Sequence, residues 1–402
     1  MSDRLATRTA AAEHVRPAAG TLLLLASTVV TMLAASSTPT PLYAVYQAEW
    51  GFSPITTTVV FGVYAIAVLV ALLVVGTLSD HVGRKPVLLA ALAGQVVSMV
   101  VFVTAAGVPE LLAGRVVQGL ATGAAVGAVG AAMIDLDRDR GTLANVVAPP
   151  IGTATGALVS AVVVQYLPAP TRTIFLALLV VFVVQAVGVA RIPETVTRAP
   201  GAWASLKPEI ALPSAVRGAV LTAAPVLFAT WALAGFYASL APATIRGLLH
   251  TDAVLPGGLG LFLLAGVAGV SVYLARDADP RRVVLLGIGA LVVGVVTTLL
   301  FVRLGSATGF FVGTAIAGIG FGSGFNGGIR TVVPLAQAHE RAGVLSVLYV
   351  VSYLGMGAPA VLAGVLVVHG GGLTATTYEY GTAVVVLAVL ALLGLRRSPV
   401  LR

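Results

Sequence analysis

The chain has 402 residues, 58% of them hydrophobic and only 9% charged, with a formal net charge of +8 and a mean hydropathy of +1.03. Soluble globular domains carry about 25% charged residues, so this composition excludes a water-soluble fold. With no cysteine, it also excludes a disulfide framework, a thiol nucleophile and a Cys-ligated metal site. The apolar residues arrive in runs such as Val59–Val75, Val283–Val302 and Ala383–Leu395. A bilayer core is crossed by roughly 20 apolar residues rising about 1.5 Å each, in helices because lipid offers no partner to bare N–H and C=O groups. The expected fold class is an all-α membrane protein.

In chain order, a basic tail over residues 1–18 precedes an apolar stretch that starts near Gly20. That stretch is longer than a signal-peptide core and lacks a small-residue cleavage site, so it reads as a retained first span. Turn signals then place twelve spans at about 19–47, 54–78, 86–106, 109–134, 142–167, 171–191, 216–246, 256–275, 282–303, 306–334, 341–369 and 373–395. The stretch Arg191–Arg217 holds four prolines and is the one long connector. It divides the chain into a six-helix bundle over 19–191, a linker over 192–215 and a second bundle over 216–395, with a tail over 396–402. Eighteen Lys and Arg fall in loops and tails on one side, among them Arg84, Lys85, Arg138, Arg140, Lys207 and Arg282. Three, Arg172, Arg246 and Arg303, fall on the other. The positive-inside bias predicts a multi-pass protein of the cell (inner) membrane with both termini and the linker in the cytoplasm. The basic balance therefore reads as topology, and no nucleic-acid partner is expected.

Part of the chain repeats. Displaced by 197 residues, Asp80, Arg84, Lys85, Val87, Leu88 and Leu89 fall on Asp277, Arg281, Arg282, Val284, Leu285 and Leu286. Displaced by 199, Gly119 and Gly123 fall on Gly318 and Gly322. Charges are rare here, and three keep sign and spacing, which predicts two pseudo-symmetric six-helix bundles with substrate at their interface.

The segment Gly76-Thr77-Leu78-Ser79-Asp80-His81-Val82-Gly83-Arg84-Lys85 resembles the signature loop of the major facilitator superfamily, departing from it at His81, where Arg is usual. The resemblance implies two six-helix bundles around a central cavity that opens alternately to each side. It also implies a gate in which Asp80 meets the start of span eleven, near Glu340–Gly343, when the cytoplasmic side is closed. A carboxylate there suits a helix N-terminus. Arg84 is placed to bridge Asp80 to Asp135 at the end of span four, Lys85 adds positive charge, Gly76 permits close helix packing and Gly83 a tight turn.

Arg115-Val116-Val117-Gln118-Gly119 in span four resembles the Arg-x-x-x-Gly motif of the drug–proton antiporter branch. A charge within a span costs roughly 2.5–3.5 kcal/mol on insertion scales and asks for a partner or a function. Snorkelling to the nearer surface is the alternative. In span five, Ala148-Pro149-Pro150-Ile151-Gly152-Thr153, with Gly156 one turn on, resembles the antiporter motif Gly-Pro-x-x-Gly-Gly, with Ala148 and Thr153 in place of two glycines. Close packing or a kink explains the same residues.

Polar and aromatic residues near the span midpoints are candidates to line the cavity: Ser37, Thr40 and Tyr43 in span one, Asn145, Trp231, Tyr237, Asn326 and Tyr353. Such a wall suits weakly polar or amphiphilic small molecules. All 15 acidic residues fall in tails, loops or span ends, so proton coupling would have to use Glu49, Glu110 or Asp135, and facilitated diffusion stands as the alternative. The expected function is export of drug-like or metabolite molecules, with proton antiport as one mode of coupling. Uptake of a sugar or other small nutrient is the competing reading. The five histidines are scattered and there is no Walker A loop, so neither an enzyme nor an ATP-driven pump is expected. No metal or cofactor is expected, and the partners are a small-molecule substrate, protons and membrane lipid around a monomeric chain.

Overall fold

The computed structural model describes residues 2–208, 210–337 and 339–397, with side chains from Ala19 to Arg396. The end of the expected C-terminal tail, 398–402, and the side chains of Arg4, Arg8 and Arg16 lie outside the described residues. Among those described, no strand occurs and twelve helices are long and apolar enough to cross a membrane. Spans one to six are Ala19–Trp50, Pro54–Val75, Arg84–Thr104, Val108–Leu136, Arg138–Tyr166 and Pro170–Arg191. Spans seven to twelve are Ser214–Ser239, Leu255–Leu274, Pro280–Arg303, Ala307–Leu335, Arg341–His369 and Gly372–Arg396.

Span seven departs from expectation. It stops at Ser239, and a separate helix, Ala241–Leu249, follows. Pro242 has no N–H with which to bond Ala238 O, and that carbonyl accepts instead from Thr40 Oγ1 at 3.1 Å, a contact between the halves. Span one breaks in the same way at Thr38, into helices Ser2–Ser37 and Pro39–Trp50. The two breaks occupy corresponding places in the repeat, each with proline just beyond.

Glycine packing carries the same symmetry. A Cβ on Gly119 would lie 2.8 Å from Tyr64 O and 2.6 Å from Ala67 Cβ, and one on Gly123 would meet Val68 and Ala71 of span two. In the second half, a Cβ on Gly318 would lie 2.7 Å from Leu264 O, and Gly322 abuts Ala268 of span eight. Spans two and four thus touch through residues that reappear about 200 positions later in spans eight and ten. Without a hydrophobic drive between lipid-immersed helices, such close backbone approach supplies the dispersion contact that associates them.

Two cores result. One draws on spans one to six, from Leu25 to Val189. The other fills the second half and takes in Phe61, Ala65 and Ala157 from spans two and five. These residues mark the seams: span two packs on span eleven, and span five on span eight. At the first seam a Cβ on Gly62 would stand 2.8 Å from Val361 Cγ2, and Gly364 closes on Thr58. At the second, one on Gly258 would stand 2.8 Å from Ala157 O, while Val254 N donates to Gln165 Oε1 at 3.0 Å. These contacts run from the end of the molecule opposite the Arg84 loop, here the far end, to about mid-span.

Replacing Gly258 by Val forces a branched side chain into the Ala157–Ala161 contact and should part the far end. Since the chain has no cysteine, Thr57→Cys, 8% exposed on span two, gives a single thiol. Its labelling by a polar maleimide should rise several-fold in Gly258→Val, and unchanged labelling would show that this seam does not seal the far end.

Candidate functional site: the signature loop and the junction of the halves

Span two ends at Val75, and a five-residue helix, Leu78–Val82, carries Asp80 to the surface. Gly83 then adopts φ +104°, the left-handed region open to glycine, and the chain enters span three at Arg84. Arg84 is only 12% exposed. It donates to Asp80, to Ser79 Oγ at 2.7 Å and, through Nε, to Asp135 Oδ2 at 3.4 Å. The structure thus brings Asp80, Arg84 and Asp135 together, joining the ends of spans two, three and four. Gly76 lies against span four, where a Cβ on Gly127 would stand 3.2 Å from its carbonyl oxygen. At the start of span eleven, Gly343 packs on Ala211 of the linker, and Glu340 Oε2 accepts from Gln337 N at 3.1 Å.

One member of this cluster, Glu194, belongs to the linker over 192–215 and was not among the expected site residues. Its carboxylate accepts from Arg84 N at 2.9 Å and Lys85 N at 3.0 Å. It thereby caps the N-terminus of span three, where the first N–H groups lack helical partners and the dipole favours an anion. A Cβ on Gly83 would meet this carboxylate, so a side chain there would displace the cap as well as strain φ. Lys85 Nζ donates to Ile192 O at 3.0 Å, and Thr195 Oγ1 reaches Asp135 Oδ2 at 3.4 Å. The linker is stapled on further along, where Ala199 N donates to His81 O at 3.0 Å. His81 Nδ1 donates to Pro200 O at 3.0 Å, and Thr77 Oγ1 donates to Ser205 O at 3.2 Å. The repeat's second copy is built differently: Asp277 pairs with Arg276 at 3.2 Å, and Asp279 caps span nine through Arg282 N at 3.0 Å.

Arg115 does not snorkel; it is 1% exposed. Pro39 leaves Ala35 O without its helical donor, and Gln118 Nε2 fills the gap at 3.0 Å. Arg115 Nη1 donates to Ser36 O at 2.9 Å and to Gln118 Oε1 at 2.6 Å, while Ser160 Oγ donates to Thr38 O at 2.7 Å. Side chains of spans four and five therefore satisfy the carbonyls at the span-one break. The guanidinium also lies 4.2 Å from the centroid of the Tyr64 ring, a cation–π contact worth about 2 kcal/mol when desolvated. Gly119 sits one turn on, against span two. In span five, a Cβ on Gly152 would stand 2.9 Å from Leu33 Cβ, and Gly156 abuts Ala34 and Ser37. Both glycines bring span one close, and Pro150 faces Gly269 of span eight across the seam. Pro149 lies beside it inside the helix.

The expected cavity residues separate into two groups. Trp231 and Tyr353 come together with ring centroids 4.7 Å apart, and Phe325 meets Trp231 at 5.3 Å. Asn326 is half-buried next to Phe325. Four others are engaged in packing. Ser37 donates to Thr153 O at 2.9 Å, Thr40 to Ala238 O, and Tyr237 bonds Thr314 Oγ1 at 2.6 Å inside the second half. Asn145 packs on Gly130 of span four. Tyr43 is 4% exposed, and its hydroxyl has no hydrogen-bond partner.

The cap on span three makes a pH prediction. Partial burial opposes ionisation of Glu194, but the backbone N–H groups of Arg84, Lys85, Val196 and Thr195 outweigh it and hold the carboxyl below the usual 4.5. A lowered folded-state pKa contributes stability above the unfolded value, and that contribution is lost as pH falls through the folded one. The melting-temperature gap between wild type and Glu194→Gln should therefore be constant from neutral pH to about 4.5 and close in more acidic buffer. A gap that widens with acid would contradict the capping role.

Comparison with known proteins agrees with this architecture. The fold is similar to that of the nucleoside transporter NupG, solved in a mutant form, with a TM-score of 0.71 and 12% identity over 93% of this chain and 98% of that one. It is similar also to the human organic anion transporter MFSD10 (TETRAN), with a TM-score of 0.61 and 18% identity over 93% and 99%. A search of curated proteins finds no match. The sequence model of the Major Facilitator Superfamily matches residues 24–297, about two thirds of the chain, and the protein belongs to that superfamily.

Proposed function

We propose that the chain is a secondary transporter that works by alternating access and exports drug-like or metabolite small molecules. The observation that carries this reading is the uncharged aromatic cluster of Trp231, Phe325 and Tyr353 on spans seven, ten and eleven of the second half, the last of these being the span that forms the seam with span two. Flat, weakly polar solutes stack on such a wall at little desolvation cost. The Arg115 and span-five motifs favour the drug–antiporter branch, and the two proteins of similar fold, a nucleoside transporter and an organic anion transporter, are compatible with a small organic solute. The basic bias of the loops supports a cytoplasmic placement of the Arg84 loop in the cell membrane.

On this reading the Asp80–Arg84–Asp135 cluster, capped by Glu194, is the latch of the cytoplasmic gate, with Asp80 exchanging partners as the bundles rock. Coupling to protons by Glu49, Glu110 or Asp135 is the antiport form of the proposal. Facilitated diffusion is the second reading, favoured by the placement of all 15 acidic residues outside the mid-membrane.

Cells expressing the protein should accumulate less of at least one dye from a panel of fluorescent amphiphiles, and a protonophore should abolish the difference if transport is antiport. Higher accumulation would indicate uptake instead. The Asp80→Asn variant should reach the membrane in normal amount yet transport several-fold more slowly. Losing about 1 kcal/mol of ion-pair energy shifts a two-state equilibrium roughly fivefold. Wild-type transport by that variant would remove Asp80 from the gate.

A further inference from the structure

The cation of Arg115 is compensated by no carboxylate among the described residues. Its neighbours are neutral acceptors, Ser36 O and Gln118 Oε1, and the ring of Tyr64. A buried charge of this kind is costly unless something pairs with it. The guanidinium also keeps a donor in hand, for Nε is buried and without a hydrogen-bond partner. The Tyr43 hydroxyl, within the electrostatic reach of Arg115, is likewise buried and unpartnered. Two donors of one region, one belonging to a lone cation, thus have no acceptor in the protein.

Position makes this more than a packing detail. Tyr64 covers the guanidinium on span two, whose neighbouring residues Gly62 and Ala65 form the seam with span eleven. On the other side of that seam, span eleven presents Tyr353, whose ring packs against Trp231 at a 50° tilt. Arg115 is therefore one aromatic ring away from the junction, and a change of the Tyr64 rotamer as the halves part would uncover it.

We infer that Arg115 is an anion subsite of the transport pathway, with the Tyr43 hydroxyl as a second donor, and that the substrates are organic anions whose apolar body rests on the Trp231–Tyr353 wall. The inference rests on the transporter reading and narrows its substrate class. A carboxylate or similar anion supplies the acceptors that Nε and the Tyr43 hydroxyl lack, and meets the forked donors of Arg in a charge-assisted pair.

The test uses two probes of one shape, naphthoate and its uncharged amide, naphthamide, in equilibrium dialysis against the purified full-length protein at neutral pH. Wild type should bind the carboxylate about tenfold or more tightly than the amide, a preference of roughly 1.4 kcal/mol. Arg115→Gln should bring the two within about twofold, and Tyr43→Phe should weaken the carboxylate a few-fold and the amide less. If Arg115→Gln does not fold, Arg115→Lys, which keeps the charge but loses the fork, should show an intermediate preference. Equal binding of the probes by wild type, a preference that survives loss of the Arg115 charge, or binding of neither probe overturns the inference. Dye transport in cells is read separately, so the transporter proposal stands or falls by its own result.

Discussion

In hydrocarbon a backbone carbonyl cannot turn to water, so a carbonyl that a proline strips of its donor is costly unless another part of the protein serves it. That constraint organises this molecule. Pro39 frees Ala35 O and Gln118 from span four supplies the bond; Pro242 frees Ala238 O and Thr40 from the other half supplies it. Each break interrupts its span and, through the bond that serves the freed carbonyl, ties that span to a neighbour. The Arg115–Gln118 pair, which stands out in the sequence as polarity misplaced in a membrane helix, is from this angle the support of span one.

The two ends of the molecule are held by different physics. At the far end the halves meet through glycine and alanine, where backbones approach closely enough for dispersion to replace the absent hydrophobic drive. At the Arg84 end the contacts are ionic and lie largely within the first half and its linker. Exposed ion pairs are weak, but Arg84 is mostly buried and shared between two carboxylates, and the span-three cap adds charge-assisted bonds. A packed seam at one end and an exchangeable set of charges at the other is an arrangement suited to rocking.

Much of this was legible in the sequence, because lipid leaves few choices. Long apolar runs fix span number, and the ordered charges of residues 76–85, with Asp135 at the end of span four, point to the contact that Arg84 makes with Asp80 and Asp135. The glycine repeat, ambiguous as letters in an Ala- and Gly-rich chain, gains meaning once Gly119 and Gly318 are seen against equivalent backbone atoms of spans two and eight. Cavity residues were less legible. A hydroxyl in a helix looks the same whether it faces solute or bonds another part of the protein: Ser37 and Thr40 serve carbonyls, and Tyr237 bonds the Thr314 hydroxyl. Glu194 lies about 110 residues from the N–H groups it caps, with no periodic pattern to announce it. The break at Leu240 depended on reading Pro242 as a carbonyl freed as well as a turn.

The account requires that the far-end seam and the Arg84 end open in alternation about the junction. Spans five and eight run between both ends, and a chain without cysteine accepts labels at chosen sites only. Spin-label pairs at Tyr166 and Leu249 for the far end, and at Asp139 and Arg276 for the other, allow distances to be measured by pulsed dipolar spectroscopy in lipid nanodiscs. The account predicts two populations at each end whose weights move in opposite directions when the Asp80→Asn change is introduced. A single invariant distance at both ends, or ends that widen together, would contradict it.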